Sequence, residues 1–164
     1  MEVEEFLAPE NVVPRLVAKN KRQVLKMLAK RAEASLGLDG SELLRQLLDR
    51  ENLGTTGIGS GIALPHCSMG FQPEFSNQSV FGFFAKLETE VDFEAIDGNK
   101  VDLVFMLIAD TRSSALHLKA IAKLARLFRD IDDVGLVHQL QVAAEVRVGG
   151  HQEQHAFPVA QIHA

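Results

Sequence analysis

The chain has 164 residues, of which 46% are hydrophobic, a composition that suits one domain with a substantial core. The formal net charge of -5, with 24% charged residues, disfavours binding to a nucleic acid through the whole surface. Tryptophan and tyrosine are absent, and the single cysteine excludes an intramolecular disulfide. The acidic N-terminus and the lack of a long apolar run predict a cytoplasmic protein without membrane insertion.

The N-terminal part of the chain predicts a strand and then a helix. Residues 10–18 alternate weakly between apolar and polar side chains, and Pro14 favours a strand at the edge of a sheet. Asn20, with Gln23 three residues later, is typical of a helix start of the capping-box type. Apolar residues at helical spacing follow, and Gly37 is predicted to end this helix.

The same signals predict a second helix. Asp39 and Glu42 repeat the capping pattern, and Gly54 is the predicted end of the helix. Its apolar face consists of Leu43, Leu44, Leu47 and Leu48. Arg50 therefore falls in the last turn, where it is predicted to face the glycine-rich segment that follows.

The most specific pattern is the glycine-rich segment at residues 55–67, TTGIGSGIALPHC. Its alternating glycines permit positive φ angles and leave backbone N–H groups open to an anion, for which phosphate is the candidate. Pro65 fixes its own φ and restricts Leu64 to extended conformations, so the imidazole of His66 should leave the strand end in one direction. The predicted phosphate-binding residues of this loop are Thr55, Thr56, Gly57, Gly59 and Gly61.

The second half of the chain predicts two strands joined by a turn. Alternating apolar residues at 81–87 indicate a strand with one buried face, and Asp97-Gly98 suits a turn. Residues 101–109 are apolar on both faces for most of their length, as in a central strand covered by helices on both sides. The order of elements therefore predicts an α/β fold.

A third helix is predicted to begin at Ser114, with His117 in its first turn. Its predicted core face consists of Leu118, Ile121, Ala122, Leu124, Ala125 and Phe128. Farther along, residues 142–148 are apolar, and two glycines separate them from a polar tail that contains histidines.

Three residues are candidates for phosphate chemistry, and each has a structural alternative. A lone histidine is more often structural, but the proline-positioned His66 behind a loop of backbone donors suits a nucleophile for phosphoryl transfer. His117 is either a helix-surface histidine or, if the two imidazoles converge, a hydrogen-bond partner of a phosphate carried on His66. Arg50 either interacts only with the helix dipole or contacts a phosphate or an acidic partner.

Other reactive side chains give weaker patterns. Cys67 is adjacent to His66 on a predicted strand, so it should point to the opposite side and is not favoured as a nucleophile. His151 and His155 are four residues apart, but no helical pattern or acidic third ligand accompanies them, which favours a solvated tail over a metal site. With neither a Walker loop nor a ligand cluster, the sequence predicts no cofactor and no metal.

One part of the sequence carries a family resemblance. Glu51, followed after six residues by IGSGIALPHC at 58–67, resembles the active-site pattern of fructose/mannitol-type enzyme IIA proteins of the bacterial phosphoenolpyruvate-dependent phosphotransferase system. Two segments, RENLGTTGIG at 50–59 and VDFEAIDG at 91–98, most resemble the nitrogen-regulatory branch of that family. The resemblance spans roughly residues 7–141.

This resemblance implies both a fold and a reaction. The implied fold is a single domain with a mixed parallel and antiparallel sheet flanked by helices on both faces, rather than a doubly wound nucleotide-binding domain. The implied activity is that of a phosphotransferase in which His66 accepts a phosphoryl group from an HPr-like phosphohistidine carrier protein. His117 would be the second active-site histidine and Arg50 the active-site arginine. ATP and metal are not required, because the group passes between similar high-energy bonds.

The resemblance leaves three functions open. The favoured one is a regulatory phosphocarrier whose phosphorylation state controls targets such as potassium-transport or sensor-kinase components. The alternative is a sugar-uptake enzyme IIA that passes phosphate from His66 to a sugar-specific IIB domain. The third is a binding module that has kept the fold without the chemistry, and it should fail to incorporate phosphate.

The predicted domain covers residues 1–164 and departs from the family pattern at its end. Members of the family usually finish with a further helix over the sheet, whereas residues 149–164 lack a helical apolar period. This segment is therefore predicted to be a divergent C-terminal tail. The departure does not involve the predicted active-site residues.

Overall fold

The computed structural model describes residues 3–70 and 78–129. Short 3-10 turns at Val3–Glu5 and Thr111–Ser113 accompany the main elements. In chain order, the strands and helices are β1 (Leu7–Leu16), α1 (Lys21–Leu36), α2 (Gly40–Leu53), β2 (Gly57–Gly59), β3 (Ile62–Ala63), β4 (His66–Met69), β5 (Val80–Val91), β6 (Val101–Asp110) and α3 (Ser114–Arg129).

The described strands form one mixed sheet in the order β1-β5-β6-β3-β2, and β4 also pairs with β6. Strand β1 is parallel to β5, and both β3 and β4 are parallel to β6. The β5–β6 and β2–β3 pairs are antiparallel. This arrangement confirms the predicted α/β fold with a mixed sheet.

Strands β3 and β4 lie one after the other along the same edge of β6. Ile62 is opposite Leu103, and His66 is opposite Leu107 four residues farther along. Between the two strands, the carbonyl of Pro65 accepts a hydrogen bond from the N–H of Leu107 at 3.0 Å. The proline has no N–H to donate, but its carbonyl keeps the interrupted strand attached to β6, so the start of β4 is fixed in register.

Helices cover both faces of the sheet. On one face, α1 and α2 pack on a cluster that includes Leu25, Phe83 and Met106. On the other face, α3 packs on a cluster that includes Phe105 and Leu124. Because each fully buried side chain of this size contributes about 1.5–3 kcal/mol, these two clusters supply the main driving force for the fold.

The predicted ends of the first two helices are confirmed. The Asn20 side chain accepts from the N–H of Gln23 at 2.9 Å at the start of α1, and Gly37 ends the helix with a φ of 70°. At the start of α2, the Asp39 side chain accepts from the N–H groups of residues 41 and 42, and Gly54 follows the last turn. These caps fix where α2 ends and hence where Arg50 lies.

Two predicted strands differ in detail from those observed. Strand β1 begins at Leu7 rather than at residue 10, although its position at the edge of the sheet agrees with the prediction from Pro14. Strand β5 is buried on both faces from Val80 to Ala85, not on one. It lies between β1 and β6 under helices on both sides, and its Val80 and Phe84 belong to the cluster on the α3 side.

The core face predicted for α3 is partly wrong. Leu118 is 68% exposed and Ala122 is exposed, whereas His117, Ala120, Leu124 and Phe128 are the buried residues of this helix. The helix is rotated relative to the prediction because His117 occupies an inward-facing position that the hydrophobic pattern assigned to an apolar residue. A polar residue is therefore held on the core side of α3.

In the described ranges, 3–70 and 78–129, no helix combines the length and the apolar character needed to cross a bilayer. The prediction of a divergent tail at 149–164 lies outside the described residues. The same is true of His151 and His155.

Candidate active site

The last turn of α2 brings a cation to the start of β4. Arg50 donates from Nη1 to the carbonyl of Gly54 at 2.9 Å, which holds the guanidinium against the end of its own helix. From Nε it donates to Nε2 of His66 at 3.3 Å. The structure therefore brings these two predicted site residues into direct contact.

Glu51 ties the end of α2 to the segment that precedes β2. Its side chain is buried, and both carboxylate oxygens accept from the N–H of Thr56, at 2.8 and 2.9 Å. The hydroxyl of Thr56 donates to the same carboxylate at 2.5 Å. The family resemblance included Glu51 without giving it a role. One signal in the sequence could have indicated a specific contact: Glu51 is a carboxylate in the last turn of a helix, where the helix dipole favours cations.

Replacing Glu51 with alanine is expected to lower the free energy of unfolding by about 1–3 kcal/mol, because the buried N–H and hydroxyl of Thr56 lose their acceptor. Urea denaturation followed by circular dichroism measures the change. The control is Glu90→Ala, at an exposed carboxylate of β5, which should shift stability by less than about 0.5 kcal/mol. Equal effects of the two substitutions would show that the Glu51–Thr56 contact adds nothing to stability.

The glycine-rich segment is a tight β-hairpin, not an open loop. Strands β2 and β3 pair through Gly57 with Ala63, and the turn between them runs through positive φ angles of 97° at Gly59 and 79° at Gly61. A side chain at either glycine would also be crowded, because its Cβ would lie 3.0 Å from a carboxylate oxygen of a neighbouring turn or strand. Both the backbone angle and the space therefore require glycine at these two positions.

Several N–H groups of this hairpin already bind acceptors within the protein. The N–H of Gly57 donates to the hydroxyl of Thr55 at 3.0 Å, and that of Ser60 donates to the carboxylate of Asp97 at 2.8 Å. The N–H of Thr56 donates to the buried carboxylate of Glu51. The N–H groups of Thr56 and Gly57 are therefore not open donors in this structure, contrary to the prediction for these two residues.

The backbone before His66 fixes the hydrogen position on its imidazole. Nδ1 of His66 lies 2.9 Å from the carbonyl oxygen of Leu64. Because a carbonyl can only accept, the hydrogen of the neutral ring is on Nδ1, and Nε2 carries the lone pair that accepts from Arg50. Nε2 is therefore the nitrogen of the neutral His66 ring that presents a lone pair.

Helix α3 supplies the third predicted residue. His117 is only 8% exposed, and its ring lies edge-on to that of His66 with 5.7 Å between centroids. Nδ1 of His117 is 3.1 Å from the hydroxyl of Ser68. Nε2 of His117 is buried and has no hydrogen-bond partner among the residues that the structure describes. His66, His117 and Arg50 thus converge, and one polar atom in this cluster is left unpaired.

Both histidines have lowered pKa values. Burial is the main cause for His66, whose pKa falls below the usual 6.5; the hydrogen bond to Leu64 opposes this shift and the charge of Arg50 adds to it. Burial, with a smaller effect of a positive His66, lowers the pKa of His117 to about 4. At neutral pH both rings are therefore neutral, which is the state a nucleophilic imidazole needs.

The low pKa of His117 predicts a pH dependence of stability. Below the usual pKa of 6.5 the unfolded chain gains a proton on this residue that the folded chain does not accept until about pH 4, so stability falls across this interval. The loss is roughly 1–3 kcal/mol, and His66 adds to it in the same direction. Urea denaturation at several pH values should show a shallower decline for His117→Gln than for the native sequence. Parallel declines would contradict the pKa assignment.

Cys67 lies beside His66 in sequence but on the other face of the sheet. It is buried in the cluster beneath α1 and α2, and burial raises the pKa of its thiol to about 12. A thiol in that state is not a nucleophile at neutral pH. Among the residues that the structure describes, no group of His, Cys, Asp and Glu side chains is arranged to hold a metal ion.

The sequence matches the family described as phosphoenolpyruvate-dependent sugar phosphotransferase system, EIIA 2, over residues 5–147. The chain belongs to this phosphotransferase family. It is 43% identical over 132 residues to a nitrogen regulatory protein of Bradyrhizobium diazoefficiens, an alignment that covers 80% of this chain and 83% of the relative. The predicted family, and the similarity to its nitrogen-regulatory branch, are confirmed.

Solved structures of EIIA 2 proteins have the same fold. The nitrogen regulatory protein IIA-Ntr of Neisseria meningitidis superposes with a TM-score of 0.74 at 27% identity, covering 89% of this chain and 97% of that one. The mannitol IIA protein of Escherichia coli superposes with a TM-score of 0.63, covering 96% and 98% of the two chains. At 20% identity, the second likeness supports the fold alone.

Proposed function

We propose that this EIIA 2 protein is a nitrogen-regulatory phosphocarrier in which Nε2 of His66 accepts a phosphoryl group from an HPr-like phosphohistidine carrier. The observation that carries the proposal is the neutral His66, with its hydrogen held on Nδ1 and its Nε2 lone pair beside the guanidinium of Arg50. This is the arrangement of a nitrogen nucleophile that awaits an anionic group.

The transfer requires only that the donor and acceptor imidazoles be positioned and that the charge of the transition state be stabilised. As the bond from phosphorus to Nε2 of His66 forms, the bond from phosphorus to the donor nitrogen breaks, and the donor imidazole keeps the electron pair. The hydrogen on Nδ1 of His66 stays in its bond to Leu64 throughout. Arg50 is placed to turn from Nε2 to the phosphoryl oxygens, where its charge would stabilise the transition state.

The proposed role of His117 is to stabilise the phosphorylated state. Its Nε2 is a buried polar atom without a partner in the described ranges, and the oxygens of a phosphoryl group on the neighbouring His66 would be acceptors for a hydrogen there. In this role His117 lowers the energy of the bound phosphoryl group without becoming phosphorylated itself.

The regulatory role is supported by the relatives that bear the name nitrogen regulatory protein, one of them 43% identical to this chain. We propose that the phosphorylated and free forms differ in their affinity for cytoplasmic target proteins, such as potassium-transport or sensor-kinase components. The charge of the phosphoryl group on His66 would be the feature that a target distinguishes.

Incubation with phosphoenolpyruvate, the first enzyme of the system and its phosphohistidine carrier tests the proposal. The expected product is a phosphoprotein that is labile in acid and stable in base, as a phosphohistidine is. If no phosphate is incorporated while a sugar-specific enzyme IIA in a parallel reaction is labelled, the phosphocarrier proposal is wrong and the chain is a binding module.

A second arm separates regulation from sugar uptake. The purified phosphoprotein is mixed with fructose- and mannitol-specific IIB domains, and the phosphate remaining on the chain is followed with time. Slow or incomplete discharge is expected for a regulatory protein. Rapid and complete discharge to one of these domains would instead assign the chain to sugar uptake.

A further inference from the structure

Ser68 is a polar residue of the site that the proposed reaction leaves without a role. It follows His66 by two positions on β4, so both side chains lie on the same face of the strand, while Cys67 and Met69 enter the core on the other face. The hydroxyl of Ser68 lies 3.1 Å from Nδ1 of His117. It is therefore in direct contact with the second histidine of the site.

The tautomer of His117 decides what this histidine can do for a phosphoryl group. A neutral imidazole carries one N–H hydrogen, and the other nitrogen carries a lone pair. If the hydrogen is on Nδ1, then Nε2 presents its lone pair and repels a phosphoryl oxygen. If it is on Nε2, that atom can donate to the phosphoryl group. Only the second tautomer is compatible with a stabilising His117.

We propose that Ser68 is a positioning residue that donates its hydroxyl hydrogen to Nδ1 of His117 and so holds this ring as the Nε2–H tautomer, ready to donate to the phosphoryl group. The inference rests on the proposed function for its consequence. The contact to Nδ1, the burial of His117 and an Nε2 that has no partner among the described residues are the geometric basis, and the direction of the hydrogen bond follows from the proposed role of His117.

A cationic His117 would make Ser68 unnecessary, because both nitrogens would then carry hydrogens. The surroundings disfavour the cation: the ring is buried, and the charged group held next to its neighbour His66 is the guanidinium of Arg50. The low pKa of His117 agrees with a neutral ring at neutral pH. The hydroxyl of Ser68 can donate to Nδ1 of a neutral His117 or accept from it, and only donation leaves the ring hydrogen on Nε2.

The first test reads the tautomer directly by NMR of protein labelled with nitrogen-15 in histidine, without phosphorylation. The expected spectrum of His117 has an N–H type Nε2 and a lone-pair type Nδ1. Ser68→Ala should shift His117 toward the opposite tautomer, and Ser68→Thr, which keeps the hydroxyl, should restore the native spectrum. A native His117 with its hydrogen on Nδ1 would overturn the inference, whether or not the chain accepts phosphate.

The second test measures function. Ser68→Ala is expected to shorten the lifetime of the phosphohistidine by about tenfold, the effect of losing one hydrogen bond to a charged group, while Ser68→Thr stays close to the native value. In a His117→Ala background, adding Ser68→Ala should have no further effect, because Ser68 acts through His117. The inference is contradicted if Ser68→Ala shortens the phosphohistidine lifetime equally in the His117→Ala background. It is also contradicted if Ser68→Ala leaves the lifetime unchanged in the native sequence. Absence of phosphorylation in the native chain would instead refute the proposed function.

Discussion

Replacing His66 with glutamine is expected to reduce phosphoryl acceptance by at least about a thousandfold, because the substitution removes the proposed nucleophilic nitrogen. Glutamine keeps a similar length and can still donate to the carbonyl of Leu64, so the start of β4 should remain in place. His66 is also only half-buried, which limits the effect on stability. The measurement is the initial rate of labelling from the phosphorylated carrier, with circular dichroism as a check of the fold.

The matched control for this substitution is Cys67→Ala. Cys67 is the next residue on β4, but its side chain lies in the core on the opposite face of the sheet. Its removal should leave the rate of labelling close to native, even if stability falls slightly. Undiminished labelling of His66→Gln, or loss of labelling with Cys67→Ala, would show that the nucleophile has been misassigned.

Replacing Arg50 with alanine is expected to lower the rate of phosphoryl acceptance by about a hundredfold, the usual cost of removing one donor that faces developing charge. Arg50 is the cation in contact with the reactive nitrogen, and its planar group matches phosphoryl oxygens. Arg50→Lys should recover only part of the rate, because an ammonium group cannot contact two oxygens in the same plane. Single-turnover labelling measures the rate of phosphoryl acceptance for the native protein, Arg50→Ala and Arg50→Lys.

The control for Arg50 is another arginine of the same helix. Arg45 is exposed and pairs with Glu42 and Asp49 on the outer face of α2, one and a half turns earlier. Arg45→Ala should leave labelling unchanged. A similar loss from both substitutions would mean that Arg50 contributes through carrier docking or general charge rather than through contact with the phosphoryl group.

Much of the scaffold could be predicted because local chemistry determines it. The caps at Asn20 and Asp39 and the glycine at position 37 are short-range signals, and the structure contains each of them. The apolar run that became β6 was long enough to indicate a central strand.

The features that could not be predicted depend on contacts between distant segments. Periodicity assigned Leu118 to the core, but the inward position belongs to His117, which faces a residue from β4. The N–H of Ser60 in the hairpin donates to the carboxylate of Asp97, which is 37 residues farther along the chain. The contact between Ser68 and His117 joins residues 49 positions apart, so no local pattern contains it.

Identifying the atom that carries the phosphate tests the proposed role of His66 without relying on reaction rates. The chain is labelled with nitrogen-15 in histidine, phosphorylated by the carrier and studied by NMR under basic conditions, where a phosphohistidine is stable. We expect phosphorus coupling to Nε2 of His66, with Nδ1 still carrying its hydrogen in the bond to Leu64. Phosphorus on Nδ1 of His66, or on either nitrogen of His117, would contradict it.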